Sequence, residues 1–145
     1  MSAKQRSIVV SENNRKFEVI VPRKCDADKV HIDTADYETG VKRCDYVIRV
    51  TPTHKQFFYY VELKGNDIQK AAKQLVSTVE TRKSEYGGYK QKEAWVIGGG
   101  WRPAMGTQFQ RYDRIIRKFG FRLWYSTDTH TISLIGKVYE PRQND

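Results

Sequence analysis

The chain has 145 residues, a length suited to one compact domain that folds without disulfide or metal staples. Two cysteines, Cys25 and Cys44, lack framework spacing, and no apolar run approaches a membrane span, so a disulfide scaffold and a helical membrane protein are excluded. Lysine and arginine number 26 against 17 acidic residues, a formal charge of +9, which favours a polyanionic partner.

Met1 to Ser7 is polar and basic, and the apolar stretch after it is only Ile8-Val9-Val10. No signal peptide is therefore expected, and the reading is a soluble cytoplasmic protein with both thiols reduced. Ser7 to Val10 and Lys16 to Pro22 read as two strands around the turn Ser11-Glu12-Asn13-Asn14. Lys29 to Asp33 alternates as a short strand, and Thr34 to Gly40 is a polar loop. In the strand Cys44 to Val50, Tyr46, Ile48 and Val50 share one face, with Asp45, Val47 and Arg49 on the other. Pro52 marks a turn, and Gln56 to Lys64 is a strand rich in aromatic and β-branched residues.

Asn66 or Asp67 caps the next element, a helix whose stripe is Ile68, Ala71, Ala72, Leu75, Val76 and Val79. It frays towards Gly87-Gly88. Glu93 to Ile97 is a short buried strand ending in Gly98-Gly99-Gly100, with Trp101 and Arg102 directly after. No Gly-Lys-Ser/Thr follows those glycines, so they read as a strand-ending loop, near which substrate can lie, rather than a phosphate-cradling loop. Thr107 is expected to cap a second helix with Phe109, Tyr112, Ile116 and Phe119 inward and Gly120 at its end. Phe121 to Ser126 and Thr131 to Ile135 are the last strands. With no repeat, low-complexity tract or linker, residues 1–145 read as a single α/β domain with helices on the faces of a mixed sheet.

One strand carries the chemistry. Period two sets Glu62 and Lys64 on one face, with Val61 and Leu63 on the other. A hairpin across Pro52 brings Asp45 to the Glu62 end. Two carboxylates hold a hard cation such as Mg²⁺, which lowers the pKa of a bound water and offsets phosphate charge, and a lysine orients or deprotonates that water or stabilises the oxyanion. His31, His54 and His130 are scattered and make no zinc spacing with the cysteines. Arg111, Arg114, Arg117 and Lys118 give the second helix a basic face, either a solvated surface or a phosphate track.

Asp45 and, after 16 intervening residues, the tripeptide Glu62-Leu63-Lys64 resemble the active-site core of the PD-(D/E)XK nucleases, which include restriction endonucleases and archaeal Holliday-junction resolvases. Glu62-Leu63-Lys64 is the chain's one acid-x-lysine tripeptide. Gly65 and the helix bearing Gln69 and Gln74 extend the likeness, which spans roughly residues 30–126 and is specific over about thirty of them.

The resemblance implies a restriction-endonuclease-like mixed central sheet flanked by helices, here with an added N-terminal β-hairpin. It implies a metal-dependent DNA endonuclease with Asp45, Glu62 and Lys64 catalytic, Asp45 and Glu62 holding Mg²⁺ or Mn²⁺, and Gln74 beside the site. Arg102, Arg111, Arg114 and Lys118 are the expected nucleic-acid contacts. Cys44 stands where the family name has proline, and Thr78 where RecB-like members carry a tyrosine. The family's N-terminal helix is not evident, which leaves a further ligand open among Glu18, Asp33, Asp36 and Glu38. The substrate is DNA or RNA, of open strandedness, and repair, recombination, mobile-element and defence settings fit equally. So small a domain reads sequence only through dimerisation, a partner or nucleic-acid shape. The alternatives are an inactive nucleic-acid-binding module of the same fold and a basic protein-interaction domain.

Overall fold

The strand β5 (Phe57–Glu62) is buried along its whole length. Alternation sends Phe58 and Tyr60 to one apolar cluster and Phe57, Tyr59 and Val61 to another. A strand apolar on both faces requires a cover on each, and the rest of the chain supplies two unlike ones. The computed structural model describes residues 5–12, 14–32, 46–51, 56–63, 67–99 and 101–137.

β1 (Gln5–Glu12) and β2 (Arg15–Pro22) form an antiparallel hairpin closed by the Glu12–Arg15 pair. Asn14 there has φ 64°, a left-handed geometry that asparagine tolerates better than most residues. β3 (Ala27–His31), β4 (Tyr46–Val50) and β5 are an antiparallel meander. The helix α1 (Ile68–Thr81) and the single turn α2 (Lys83–Tyr86) lead to β6 (Gln91–Ile97), parallel to β5. A 3-10 turn (Pro103–Met105) and α3 (Gly106–Arg117) lead to β7 (Phe121–Ser126), parallel to β6. β8 (Thr129–Ser133) then leaves the main sheet. The result is a five-stranded sheet ordered β3-β4-β5-β6-β7 and a three-stranded sheet ordered β1-β2-β8.

This corrects one expectation. The sequence predicts helices on the faces of a single mixed sheet, whereas here the helices pack on one face only. The other face is covered by the small sheet, because the N-terminal hairpin gains β8, whose Phe17–His130 and Val19–Ile132 pairs run parallel to β2. Phe17, Val19 and Val21 face the main sheet's Ile48, Tyr59, Val61 and Trp95 in one buried cluster. The intervening Lys16 and Glu18 lie on the outer face as an ion pair at 3.9 Å. Along the open side, Arg6 Nη2 donates to the carbonyls of Cys25 and Ala27, and Lys29 Nζ donates to that of Val9, fastening β1 to β3.

α1 forms as its stripe dictates, with Ile68, Ala71, Ala72, Leu75, Val76 and Val79 all buried. Asp67 is the cap, its carboxylate accepting from Lys70 N at 3.0 Å, an interaction worth about 1 kcal/mol. Several boundaries differ from expectation: β1 spans Gln5–Glu12 rather than Ser7–Val10, and β6 starts at Gln91 rather than Glu93. α3 is capped at Met105 without a side-chain bond, so Thr107 lies inside its first turn and not at its cap. β3 ends at His31 rather than Asp33, and β8 spans Thr129–Ser133 rather than Thr131–Ile135. α3 ends at Arg117, and Gly120, in the turn that follows, has φ +85°, where an added Cβ would meet Lys92 Cε at 2.9 Å. The expected loop 34–40 and the turn at Pro52 lie outside the described residues.

His130 fills the seam between the sheets, stacked on Trp95 at 4.2 Å and on Phe17 at 6.2 Å. Burial lowers its pKa from 6.5. A depressed histidine stabilises the fold above its unfolded pKa, and that contribution is lost as pH falls through the folded value. Glu93, raised by burial, acts with the opposite sign, and Glu85, lowered overall, titrates below 4.5. In urea denaturation, lowering the pH from 7.5 to 5 should therefore change stability less favourably in the parent than in His130→Phe.

Candidate active site

Glu62 is the last residue of β5 and is only 1% exposed. Burying a carboxylate is costly unless donors or positive charge compensate it. Among the described residues it shares this condition with Thr78 and Asp113. The Thr78 hydroxyl donates to the Gln74 carbonyl at 2.8 Å, and Asp113 accepts from the neighbours described below.

Strand parity sets Glu62 on the helix-facing side with Phe58 and Tyr60. Tyr60 is itself fixed, its hydroxyl donating to Glu85 Oε1 at 2.7 Å while Arg82 pairs with the same carboxylate. Burial pushes the Glu85 carboxyl up, but the bonds from Arg82 and Tyr60 outweigh it and hold it below the usual range. Val61 and Leu63 lie on the opposite, apolar side, as alternation requires.

The register puts Glu62 in a row with Val96 of β6 and Tyr125 of β7. All three stand at the carboxyl ends of parallel strands, where α1 also begins and where the loop from β6 leads to α3. Open α/β sheets bind ligands at this edge, and the positive ends of helix dipoles gather there. β4 starts at the same place, since Tyr46 pairs with Val61. Asp45 and Lys64, the other two members of the predicted core, lie outside the described residues, as do Asp33, Asp36, Glu38 and Cys44. Their distance along the chain is fixed covalently: Asp45 directly precedes Tyr46, and Lys64 is two residues beyond Glu62.

The remaining predicted positions separate into groups. Glu18 lies on the outer face of the small sheet, accepting from Thr131 at 3.2 Å, so the sheet's own inner face stands between it and Glu62. Gln74 is half-buried on α1, about 9 Å along the axis from Ile68, while Gln69 is exposed. Arg102, Arg111, Arg114, Arg117 and Lys118 are all exposed. Arg111, Arg114 and Lys118 line one shallow groove with Ile115, and Arg114 and Arg117 line a second between α3 and β7. Glu93 carries a raised pKa from burial, but as the partner of Tyr59 it faces the small sheet and not Glu62. Among the described residues no three His, Cys, Asp or Glu side chains gather as a metal site.

Asp113 is a residue that sequence reasoning overlooked. It accepts from Leu123 N at 2.8 Å, from Arg117 Nε at 2.9 Å and from Arg122 Nε at 3.4 Å. The carboxylate thereby clamps α3 to β7 and fixes the rotation of the helix about its axis, which decides where Arg111, Arg114 and Lys118 point. Its signal was present, since an acid on an apolar stripe with arginine four residues later marks a paired, inward carboxylate.

No family model, curated protein or solved structure matches the chain. Among the described residues no helix is long and apolar enough to cross a membrane.

The clamp makes a direct prediction. Asp113→Asn keeps the shape and the Oδ1 acceptor for the Leu123 N–H, but it removes the charge and sets an amide NH2 against the Arg117 guanidinium. Urea unfolding should show a loss of about 1–3 kcal/mol. Arg122→Ala, at a side chain 51% exposed, should cost under about 1 kcal/mol.

Proposed function

We propose that the protein is a metal-dependent nuclease, most simply a DNA endonuclease, with Asp45, Glu62 and Lys64 as its catalytic core. The observation that carries this reading is the buried Glu62 carboxylate at the carboxyl end of β5, on the face shared with α1. The strand order supports it as well. An antiparallel meander ending in the acid-x-lysine strand, then a helix and a parallel strand, is the order that the PD-(D/E)XK resemblance implies.

The donor chemistry suits a hard divalent cation, because Asp45 and Glu62 offer carboxylate oxygens. Glu62 and Asp45 would hold Mg²⁺, which when bound supplies a water of lowered pKa and neutralises phosphate charge. Lys64 contributes fixed positive charge beside the scissile phosphate and orients the attacking water. Arg102, Arg111, Arg114 and Lys118 hold the flanking backbone, a role that the net charge of +9 favours and that carries no sequence information. A buried carboxylate held on a fully buried strand keeps its ligand geometry without reorganisation, which is what such catalysis needs.

Incubation with supercoiled plasmid, single-stranded DNA, branched DNA and RNA should show cleavage of at least one substrate that requires Mg²⁺ or Mn²⁺ and stops with chelator. Glu62→Ala and Lys64→Ala should each reduce it by at least about 100-fold. Cleavage that survives both substitutions would sink the assignment. Metal-independent binding of nucleic acid without any cleavage would favour an inactive module of the same fold.

A further inference from the structure

Trp101 is 37% exposed, an unusual placement for so large an apolar ring. It is nonetheless held firmly. Its indole stacks on Tyr125 at 5.0 Å and 26°, and Phe109 of α3 stands perpendicular to it at 5.4 Å. Tyr125 in turn donates its hydroxyl to the Gly98 carbonyl at 2.9 Å, fixing the loop after β6. Exposed Arg102 follows directly in the chain. The residue backing Trp101, Tyr125, stands in the row Glu62–Val96–Tyr125. At about 4.8 Å between strands, Tyr125 is roughly 10 Å from Glu62, the rise of about three stacked nucleotides.

We propose that Trp101, backed by Tyr125 and flanked by Arg102, is a stacking platform for an unpaired nucleobase beside the Glu62 site, so that the substrate presents a single-stranded or splayed nucleotide there. The proposal rests on the nuclease reading for the role of Glu62. Inside a continuous duplex each base face is covered by its neighbours, so a projecting ring has nothing to stack on. A single strand, a flap or an extruded base offers a free face. An indole pre-set by two aromatic contacts loses little freedom on binding, and the adjacent guanidinium matches the phosphate of the same nucleotide. Trp124 is a built-in comparison. It is also exposed, at 40%, and carries Arg122 over its ring at 5.3 Å, but parity puts it on the opposite face of β7 from Tyr125.

The test is fluorescence anisotropy with a labelled 20-nucleotide oligothymidine and a labelled 20-base-pair duplex, in chelator so that no cleavage intervenes. Trp101→Ala should weaken single-strand binding by roughly 5- to 150-fold, the range that base–aromatic stacking supplies. Duplex binding should change less than about twofold, Trp101→Phe should restore most single-strand affinity, and Trp124→Ala should leave it near that of the parent. Far-ultraviolet circular dichroism of each variant establishes that it is folded. Equal loss on both probes, no loss on the single strand, no binding of the single strand by the parent, or a loss at Trp124 in place of Trp101 would each overturn the proposal. None of these readouts depends on catalysis, so the nuclease reading stands or falls separately on metal-dependent cleavage.

Discussion

The structure depends on burying a single strand from both sides. β5 exposes none of its six residues, and its alternation commits Phe58, Tyr60 and Glu62 to the helices and Phe57, Tyr59 and Val61 to a second sheet. A one-residue slip would exchange the two sets and bring the glutamate to the seam occupied by Phe17 and Trp95. Register, core and candidate site are therefore one constraint. The aromatic cluster makes such a slip expensive: Phe58 alone contacts Tyr60, Tyr86, Tyr89 and Phe121 at centroid distances of 4.8 to 6.1 Å. Removing a buried ring of this kind typically costs several kcal/mol.

From that strand outward, polar features collect at one edge. Glu62, the start of α1, the Trp101–Tyr125 stack and the approach to α3 all lie at the carboxyl ends of parallel strands. The basic side chains run away from this edge along α3, from Arg111 to Lys118, held in rotation by Asp113. The buried acid at the edge, the open aromatic ring beside it and the cationic side chains leading off are the three surfaces on which the proposal of a nucleic-acid ligand rests.

Much of this was legible in the sequence because it is local. The stripe from Ile68 to Val79, the Asp67 cap, the β1–β2 hairpin and the alternation around Glu62 are each set by residues within a few positions of one another. What escaped is set at long range. The pairing of β2 with β8 joins Val19 to Ile132 and leaves no local trace, so the second sheet, and with it the segregation of helices to one face, could not be read. Thr107 looked like a cap because threonine favours that role, but Pro103 starts a 3-10 turn that merges into α3 through Met105. At the candidate site, period two alone set Glu62 on the side of the strand opposite Val61 and Leu63, whereas the order in which Val96 and Tyr125 continue its row required the parallel register.

The proposed nuclease function requires Asp45 and Glu62 to share a divalent cation. Anomalous diffraction from crystals soaked in Mn²⁺ tests it most directly. An anomalous peak is expected with metal–oxygen distances of about 2.1 Å to both carboxylates, lost in Glu62→Ala. A Glu62 carboxylate engaged wholly by protein donors, with no peak beside it at millimolar Mn²⁺, would contradict the account.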